Sequence, residues 1–234
     1  MNENFKILFF CRKNCNISKK MFRELKKNFK KITRVISAEP NKKIPKKIHR
    51  WKGHYILSFR SFYILPIKLI KQAKFAAINF HPGTPKYRGI GCVNFAIINS
   101  EKIYGSTCHL MSKRIDNGKI IDVRTFNIKK NDNIKTILKK SYNFQFKQFK
   151  KIINKIKCNN FNLNFMIKKS KRYKWSKKIY NRRDLNKLYK LNSLVKSNDL
   201  KKYLRATLTN KFRPYFELDE KKYFLNYESK QKAL

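Results

Sequence analysis

The chain has 234 residues, enough for one large domain or one domain with an appendage, and 41% of them are apolar. Its 59 Lys and Arg against 13 Asp and Glu give a formal net charge of +46. Such a charge would attract RNA, DNA or an anionic membrane regardless of sequence, so non-specific RNA binding is expected. The lysines form no single patch, and a bias toward A- and T-rich codons is the other explanation. Charge alone therefore names no partner.

The sequence carries no signal for a membrane or a metal. No apolar run approaches the roughly 18 residues of a membrane span, and the run at 7–11 is too short for the core of a secretory signal. We therefore expect a cytoplasmic protein. Its five cysteines are odd in number and lack C-x-x-C spacing, so we expect reduced, mostly buried thiols and no metal site.

The first 80 residues alternate between β-prone apolar runs and helical patterns. Strands are expected at 5–10, 32–36, 54–59 and 76–80, helices at 18–25 and 66–73, and a loop or short helix at 38–52. This alternation predicts an α/β fold with a doubly wound, mostly parallel sheet. Active sites in such folds lie beyond the carboxyl ends of the strands.

The pattern changes near residue 130. Before it, a helix is expected at 91–98 and strands at 104–111 and 120–126; after it, a long Lys-rich helix is expected at 136–158. This predicts a catalytic domain over 1–130 and, over 131–234, a helical extension with a small carboxyl-terminal region. Low apolar density predicts poor order over 165–200, and the segments 204–207, 215–218 and 222–225 predict a small terminal hairpin.

Gly and Pro cluster in one place, in and after the stretch INFHPGTPKYRGIG at 78–91. The polar residues Asn79 and His81 stand there at the end of a buried strand. Asp116 is the best placed acid, because it lies in a turn between two strands, whereas Asp122 lies inside a strand and is expected to face solvent. His109, in an alternating strand, is interpreted as structural. An amide, an imidazole and a carboxylate together suit attack of an amine on a carbonyl.

Four motifs in order resemble the signature of the formyltransferase family that uses 10-formyltetrahydrofolate. They are Asn79-Phe80-His81, the segment 85–89, the segment 105–109 and the segment 116–120, all within about residues 54–126. The resemblance implies a formyltransferase-type, Rossmann-like domain. It also implies that Asn79 and His81 polarise the formyl group and that Asp116 assists proton transfer from the amine to the folate nitrogen.

The resemblance further implies where the two substrates lie. The pterin would lie against segment 58–65 and the loop around Asp116, largely through main-chain groups. The residues expected to bind the folate are Ser58, Phe59, Arg60, Ser61, Ile64, Leu65, Ile115, Asn117 and Gly118. A substrate loop of Pro82, Gly83, Tyr87, Arg88 and Gly89 would let the folate and the amine approach the strand end.

The acceptor of the formyl group stays open. The run Pro82-Gly83-Thr84-Pro85 and the short tail resemble enzymes that formylate nucleotide-linked amino sugars for surface polysaccharides, which is the first expectation. Methionyl-tRNA is the second, favoured by the charge. The third is a non-catalytic protein that binds RNA or a membrane surface. Trp175 and the segment 205–207 resemble an accessory region without an assigned role, and an exposed apolar tail would suit a homodimer.

Overall fold

A six-stranded sheet lies at the centre of the computed structural model, which describes residues 4–158, 161–192, 194–209 and 212–226. All six strands coincide with segments that the sequence predicts. They are β1 (Lys6–Arg12), β2 (Lys31–Ser37), β3 (Gly53–Phe59), β4 (Ala73–His81), β6 (Ile103–Leu110) and β7 (Ile120–Asn127); the two-residue strand β5 (Arg88–Gly89) lies outside this sheet.

The sheet is parallel over its first four strands and antiparallel at one edge. Its order is β2-β1-β3-β4-β6-β7, with β6 antiparallel to β4 and β7 antiparallel to β6. Residues 111–119 are too few for the crossover of a dozen or more residues that a parallel neighbour requires, which accounts for the direction of β7. The expectation of a mostly parallel α/β sheet is confirmed, with an antiparallel edge added to it.

Helices cover both faces of the sheet, because alternate strand residues point to opposite sides. On the face of the odd-numbered residues of β1 lie α1 (Asn16–Asn28) and α4 (Ile134–Lys157). On the opposite face lie a 3-10 helix (Lys46–Arg50) and the single turn α2 (Ile67–Ile70). The predicted helix over 66–73 is therefore too long, since β4 already begins at Ala73.

Buried polar side chains on α4 fix its position on the sheet. Ser141, Gln145 and Gln148 are fully buried, and their spacing places them on one side of the helix. Ser141 Oγ donates to Gly105 O at 3.2 Å, and Gln145 Nε2 donates to Phe80 O at 2.7 Å. Gln148 bonds to groups of β6 and β7. The long helix thus packs directly on the central strands, and the domain boundary at residue 130 stays a prediction.

The remaining elements follow the sheet or connect its strands. They are α3 (Cys92–Ile98), α5 (Leu163–Lys169), β8 (Ile179–Tyr180), α6 (Arg182–Lys187), α7 (Ser197–Thr207), β9 (Tyr215–Leu218) and β10 (Lys221–Phe224). The expectation of poor order over 165–200 is wrong for these helices. Asn162 and Asn181 cap α5 and α6 by accepting main-chain N–H bonds, which low apolar density does not show.

The carboxyl-terminal hairpin is confirmed in part. β9 and β10 pair as predicted, but the segment 204–207 is the end of α7 and not a strand. Leu218, Tyr223 and Phe224 are each more than half exposed on the hairpin. A homodimer through this surface stays a prediction. In the part of the chain that the structure describes, no helix has the length and apolar character needed to cross a membrane.

Replacing Phe149 by Ala is expected to lower the free energy of unfolding by about 3–5 kcal/mol. Its fully buried ring lies 6.0 Å from the ring of Phe9 and 5.4 Å from that of Phe80, so truncation leaves a cavity between α4 and the sheet. Urea denaturation would measure the change. The control is Phe165→Ala, since that side chain is 61% exposed and its loss should change stability by only about 0.5 kcal/mol or less. Equal effects from the two variants would contradict this account of the core.

Candidate active site

Four polar residues meet where β4 and β6 approach the loop that follows β6. Asn79 and His81 end β4, and the antiparallel register places Asn79 opposite His109 of β6. Asp116 lies in the loop between β6 and β7. All four line one cavity. The structure therefore brings Asn79, His81 and Asp116 together, as the sequence predicts.

Both ring nitrogens of His81 face hydrogen-bond acceptors. Nδ1 lies 3.2 Å from Asp116 Oδ2, and Nε2 lies 2.7 Å from the main-chain oxygen of Tyr87. A carbonyl and a carboxylate can only accept, so this geometry suits a ring that carries both protons. Burial would lower the pKa of His81, but the charge of Asp116 and contact with Cys92 outweigh it and raise that pKa well above its usual value. His81 is therefore held as an imidazolium.

The loop of Asp116 is held in an unusual backbone conformation. Asp116 has a φ of 44°, in the left-handed region that non-glycine residues rarely adopt. Arg88 holds it there, because its buried guanidinium donates from Nε to Asp116 O at 2.7 Å and from Nη2 to Ile115 O at 3.0 Å. The main-chain N–H of Gly89 donates to Asp116 Oδ2 at 3.0 Å. These bonds aim the carboxylate at His81.

The charge of Asp116 is stabilised by the same neighbours. Burial would raise the pKa of Asp116, but the charge of His81 and the hydrogen bond from its ring hold that pKa well below its usual range. Asp116 and His81 thus form an ion pair in which both side chains are more than 90% buried. The carboxylate is a weak base here, and its main effect is to keep His81 charged.

His109 is a member of the site that the sequence did not identify. Its Nδ1 donates to Leu110 O at 2.7 Å, which leaves Nε2 at 3.2 Å from Asn79 Nδ2 and 3.4 Å from Asp116 Oδ1. Asn79 uses one N–H on this ring and, being only partly buried, has a second N–H for the cavity. His109 is the last residue of the motif at 105–109, and its place in that motif was the feature of the sequence that could have identified it.

Trp175 is a second residue whose place sequence reasoning missed. Its Nε1 donates to Gly118 O at 2.7 Å, and its ring meets those of His109 and His81 nearly at right angles, at centroid distances of 5.0 and 5.9 Å. The neighbouring Ser176 O accepts from Arg88 Nη1 at 2.8 Å. A segment near residue 175 therefore covers one side of the histidine pair. No local pattern in the sequence indicates this contact.

Six of the nine residues expected to bind folate line the cavity. They are Ser58, Arg60, Ser61, Ile64, Leu65 and Ile115. Phe59 does not, because it points to the opposite face of β3 and is fully buried in the core, where its ring meets that of Tyr142 at 6.0 Å. Asn117 is exposed, and Gly118 is buried against β6; neither lines the cavity. Folate contact by the six stays a prediction.

The expected substrate loop mostly supports the site from behind. Only Pro82 of its five residues lines the cavity. Tyr87 and Arg88 are buried and hold His81 and the loop of Asp116. Gly83 is required because a Cβ there would lie 2.6 Å from His81 Nε2, closer than atoms can pack. Four of the five residues thus lie behind the cavity wall, where they position His81 and Asp116, and contact of this loop with either substrate stays a prediction.

Two further expectations concern side chains outside the cavity. Four of the five cysteines are buried and all are free, with Cys158 exposed. Asp122 does not simply face solvent, because its side chain is 19% exposed and accepts from Gln148 Nε2 at 2.9 Å. Among the described residues, no group of three or more His, Cys, Asp or Glu side chains is placed to hold a metal ion.

A family model described as formyl transferase matches residues 16–153, more than half of the chain. The chain belongs to this family. The match includes Asn79, His81, His109 and Asp116. It begins with α1 and ends within α4, so it covers five of the six strands of the sheet, β1 lying before it.

Several curated proteins resemble parts of this chain. A bifunctional polymyxin resistance protein of Wigglesworthia glossinidia brevipalpis is 36% identical over 94 residues, which are 40% of this chain and 14% of that protein. The methionyl-tRNA formyltransferase of Lactiplantibacillus plantarum is 43% identical over 77 residues, which are 32% of this chain and 24% of that protein. The methionyl-tRNA formyltransferase of Prochlorococcus marinus is 28% identical over 146 residues, which are 61% of this chain and 44% of that protein. The chain thus spans less than half of the length of each.

Solved structures match the fold over nearly its whole length. A 4-N formyltransferase from Francisella tularensis superposes with a TM-score of 0.75 and 21% identity, covering 94% of this chain and 97% of that one. A sugar N-formyltransferase from a Shewanella species superposes with a TM-score of 0.71 and 20% identity, covering 95% of this chain and 97% of that one. An N-formyltransferase from Helicobacter canadensis superposes with a TM-score of 0.70 and 21% identity, covering 92% of this chain and 85% of that one. Its structure is a complex with folinic acid and dTDP-3-aminofucose. At these identities the likeness shows the fold.

The protonation of His81 can be followed through the fluorescence of Trp175. A protonated imidazole quenches a neighbouring indole, and the raised pKa keeps His81 protonated through neutral pH. In a Trp51→Phe background, the emission of Trp175 should stay low at neutral pH and rise only well above pH 6.5, the ordinary pKa of histidine. Adding Asp116→Asn removes the charge that raises this pKa, so the rise should move to lower pH.

The control for this titration is His81→Gln in the same background, which should abolish the transition. A transition that stays in place without His81 would assign it to another group, and a midpoint unmoved by Asp116→Asn would contradict the ion pair.

Proposed function

We propose that this protein transfers a formyl group from 10-formyltetrahydrofolate to a primary amine. The observation that carries the proposal is the arrangement of Asn79, His81 and Asp116 on the wall of one cavity at the carboxyl end of β4. Membership of the formyl transferase family supports it. The folinic acid and dTDP-3-aminofucose bound to the Helicobacter canadensis enzyme further support a folate and an amino sugar as the pair of substrates.

The chemistry of the cavity wall suits a folate. Its walls combine hydroxyl and amide groups of Ser58, Ser61 and Asn79 with apolar side chains of Ile64 and Leu65. A pterin needs hydrogen-bond partners on its edge and apolar contact on its faces. The folate supplies the formyl group, and the side chains of the chain bind it and stabilise the charge that develops on transfer.

Each polar group has a distinct role in the proposed transfer. When the amine nitrogen attacks the formyl carbon, negative charge develops on the formyl oxygen, and the free N–H of Asn79 donates to it. The imidazolium of His81 lowers the energy of the same charge. Asp116 keeps His81 charged and orients the incoming amine, whose proton ends on the folate nitrogen as the bond from that nitrogen to the formyl carbon breaks.

A nucleotide-linked amino sugar is the acceptor that we propose. Three structural neighbours are N-formyltransferases, two of them on sugars by their descriptions, and they match this chain over 85–97% of their own lengths. Methionyl-tRNA is the second candidate, favoured by the curated relatives and by the charge of +46. A non-catalytic RNA-binding or membrane-surface role is the weakest candidate, because it would not require the strained and buried arrangement around Asp116.

Formyl transfer by purified, nuclease-treated protein would separate these acceptors. The protein would be given 10-formyltetrahydrofolate with either methionyl-tRNA or a panel of dTDP- and UDP-linked amino sugars. We expect turnover with one of the sugars and none with the tRNA. Turnover with the tRNA alone would replace the first acceptor by the second, and no turnover with any acceptor would favour the non-catalytic role.

Replacing Asn79 by Ala should lower the rate of formyl transfer by about 100-fold or more, as loss of an oxyanion donor does. The expected loss is in kcat, because the donor acts on charge that is absent from the bound substrates. Asn154→Ala is the matched control, since that side chain is exposed on α4 and lies far along the chain from the cavity. Circular dichroism would show that both variants fold. An unchanged kcat in Asn79→Ala would remove Asn79 from the mechanism.

A further inference from the structure

A strongly basic surface continues from the mouth of the cavity. Residues 40–78 contain ten Lys and Arg and no Asp or Glu. Three successive depressions extend the cavity along this segment, each sharing wall residues with the one before it. The first shares Phe62, Tyr63 and Ile64 with the cavity. We call the three together the basic groove; its cations are Lys42, Lys43, Arg50, Lys52, Lys68, Lys71 and Lys74.

The cations of the basic groove are available to a ligand. Lys42 makes one long contact with Glu39, at 3.7 Å between exposed side chains. Lys43, Arg50, Lys52 and Lys68 form no ion pair with any residue that the structure describes. A run of cations without internal acids repels itself, so binding of an anion relieves that repulsion.

The chemistry of the surface changes in a definite order from the cavity outward. Polar groups lie inside, and Ile64 and Ile115, which are 74% and 49% exposed, stand at the rim. Arg60, Lys113 and Arg114 already line the cavity, and the cations of the basic groove continue beyond the rim. A ligand that fits this order has a polar heterocycle, then an apolar ring, then a chain of carboxylates.

We propose that the basic groove binds a γ-linked polyglutamate chain extending from the folate in the cavity. This inference rests on the proposed function, since it requires a folate in that cavity. Each γ-linked residue leaves its α-carboxylate free, so the chain presents one negative charge per residue. Lysine suits it, because a flexible stem with a compact charge can follow carboxylates that have no fixed orientation.

The basic groove is long enough for several glutamates. It begins beside Tyr63 and Ile64, after the carboxyl end of β3, and reaches Gly53 and His54 at the amino end of that strand. Seven strand residues span about 23 Å. Single exposed ion pairs contribute little, so a measurable effect requires a chain that meets several cations together.

Binding of 5-formyltetrahydrofolate in monoglutamate and pentaglutamate forms tests the inference. Isothermal titration of the full, nuclease-treated chain should show the pentaglutamate bound about tenfold tighter at low salt, with the difference shrinking as salt rises. The variant Lys43→Gln/Arg50→Gln/Lys68→Gln should bring the pentaglutamate close to the affinity of the monoglutamate and leave the monoglutamate unchanged.

A control variant removes the same charge from the other face of the sheet. Lys20→Gln/Lys27→Gln/Lys150→Gln changes exposed lysines on α1 and α4 and should preserve the preference for the pentaglutamate. Equal affinity of the wild type for both forms would overturn the proposed binding of polyglutamate in the basic groove and would leave the proposed function intact. An equal loss in the control would also overturn it, in favour of a general effect of net charge. If neither form binds, the folate assignment fails together with the groove.

Discussion

The buried ion pair between His81 and Asp116 is the constraint around which the site is built. Removing two charges from water is costly, and a buried pair persists only where further hydrogen bonds satisfy the remaining protons and lone pairs. Here Tyr87 O accepts from the second nitrogen of His81, and Gly89 N–H donates to the carboxylate. Losing one partner would leave the other charge uncompensated, at a cost of about 3–5 kcal/mol. Two loops must therefore keep their conformations together.

Arg88 extends this constraint to distant parts of the chain. Its guanidinium joins main-chain oxygens of the loop around Asp116 to Ser176 O, 88 residues away. Beside it, β5 pairs with β8, and Trp175 donates to Gly118 O across 57 residues. The carboxyl-terminal region is thus part of the wall that excludes water from the histidine pair, whatever else it binds. Exclusion of water strengthens the pair and the field that it creates at the cavity.

Local patterns predicted the strands, the long helix and the three residues Asn79, His81 and Asp116, because each depends on periodicity or on neighbouring residues. His109 depended on the pairing of β6 with β4, and Trp175 on a contact far along the chain, so neither could be found locally. Phe59 is a different case. Ser58 of β3 lines the cavity, and simple strand alternation places the next residue, Phe59, on the opposite face.

Several of the few acids of the chain occupy positions where a contact depends on them. Asp132 accepts from Lys129 N and ties down the start of α4, Asp184 completes the cap of α6, Glu101 accepts from Tyr87 OH, and Asp122 accepts from Gln148. A mutational bias toward lysine codons would leave this distribution, because acids that make a needed hydrogen bond are retained while other acids are replaced. The total charge then carries little functional information. The local arrangement of the lysines is more informative than their number. A run of cations that continues a cavity can bind a chain of carboxylates there, whatever the origin of those lysines.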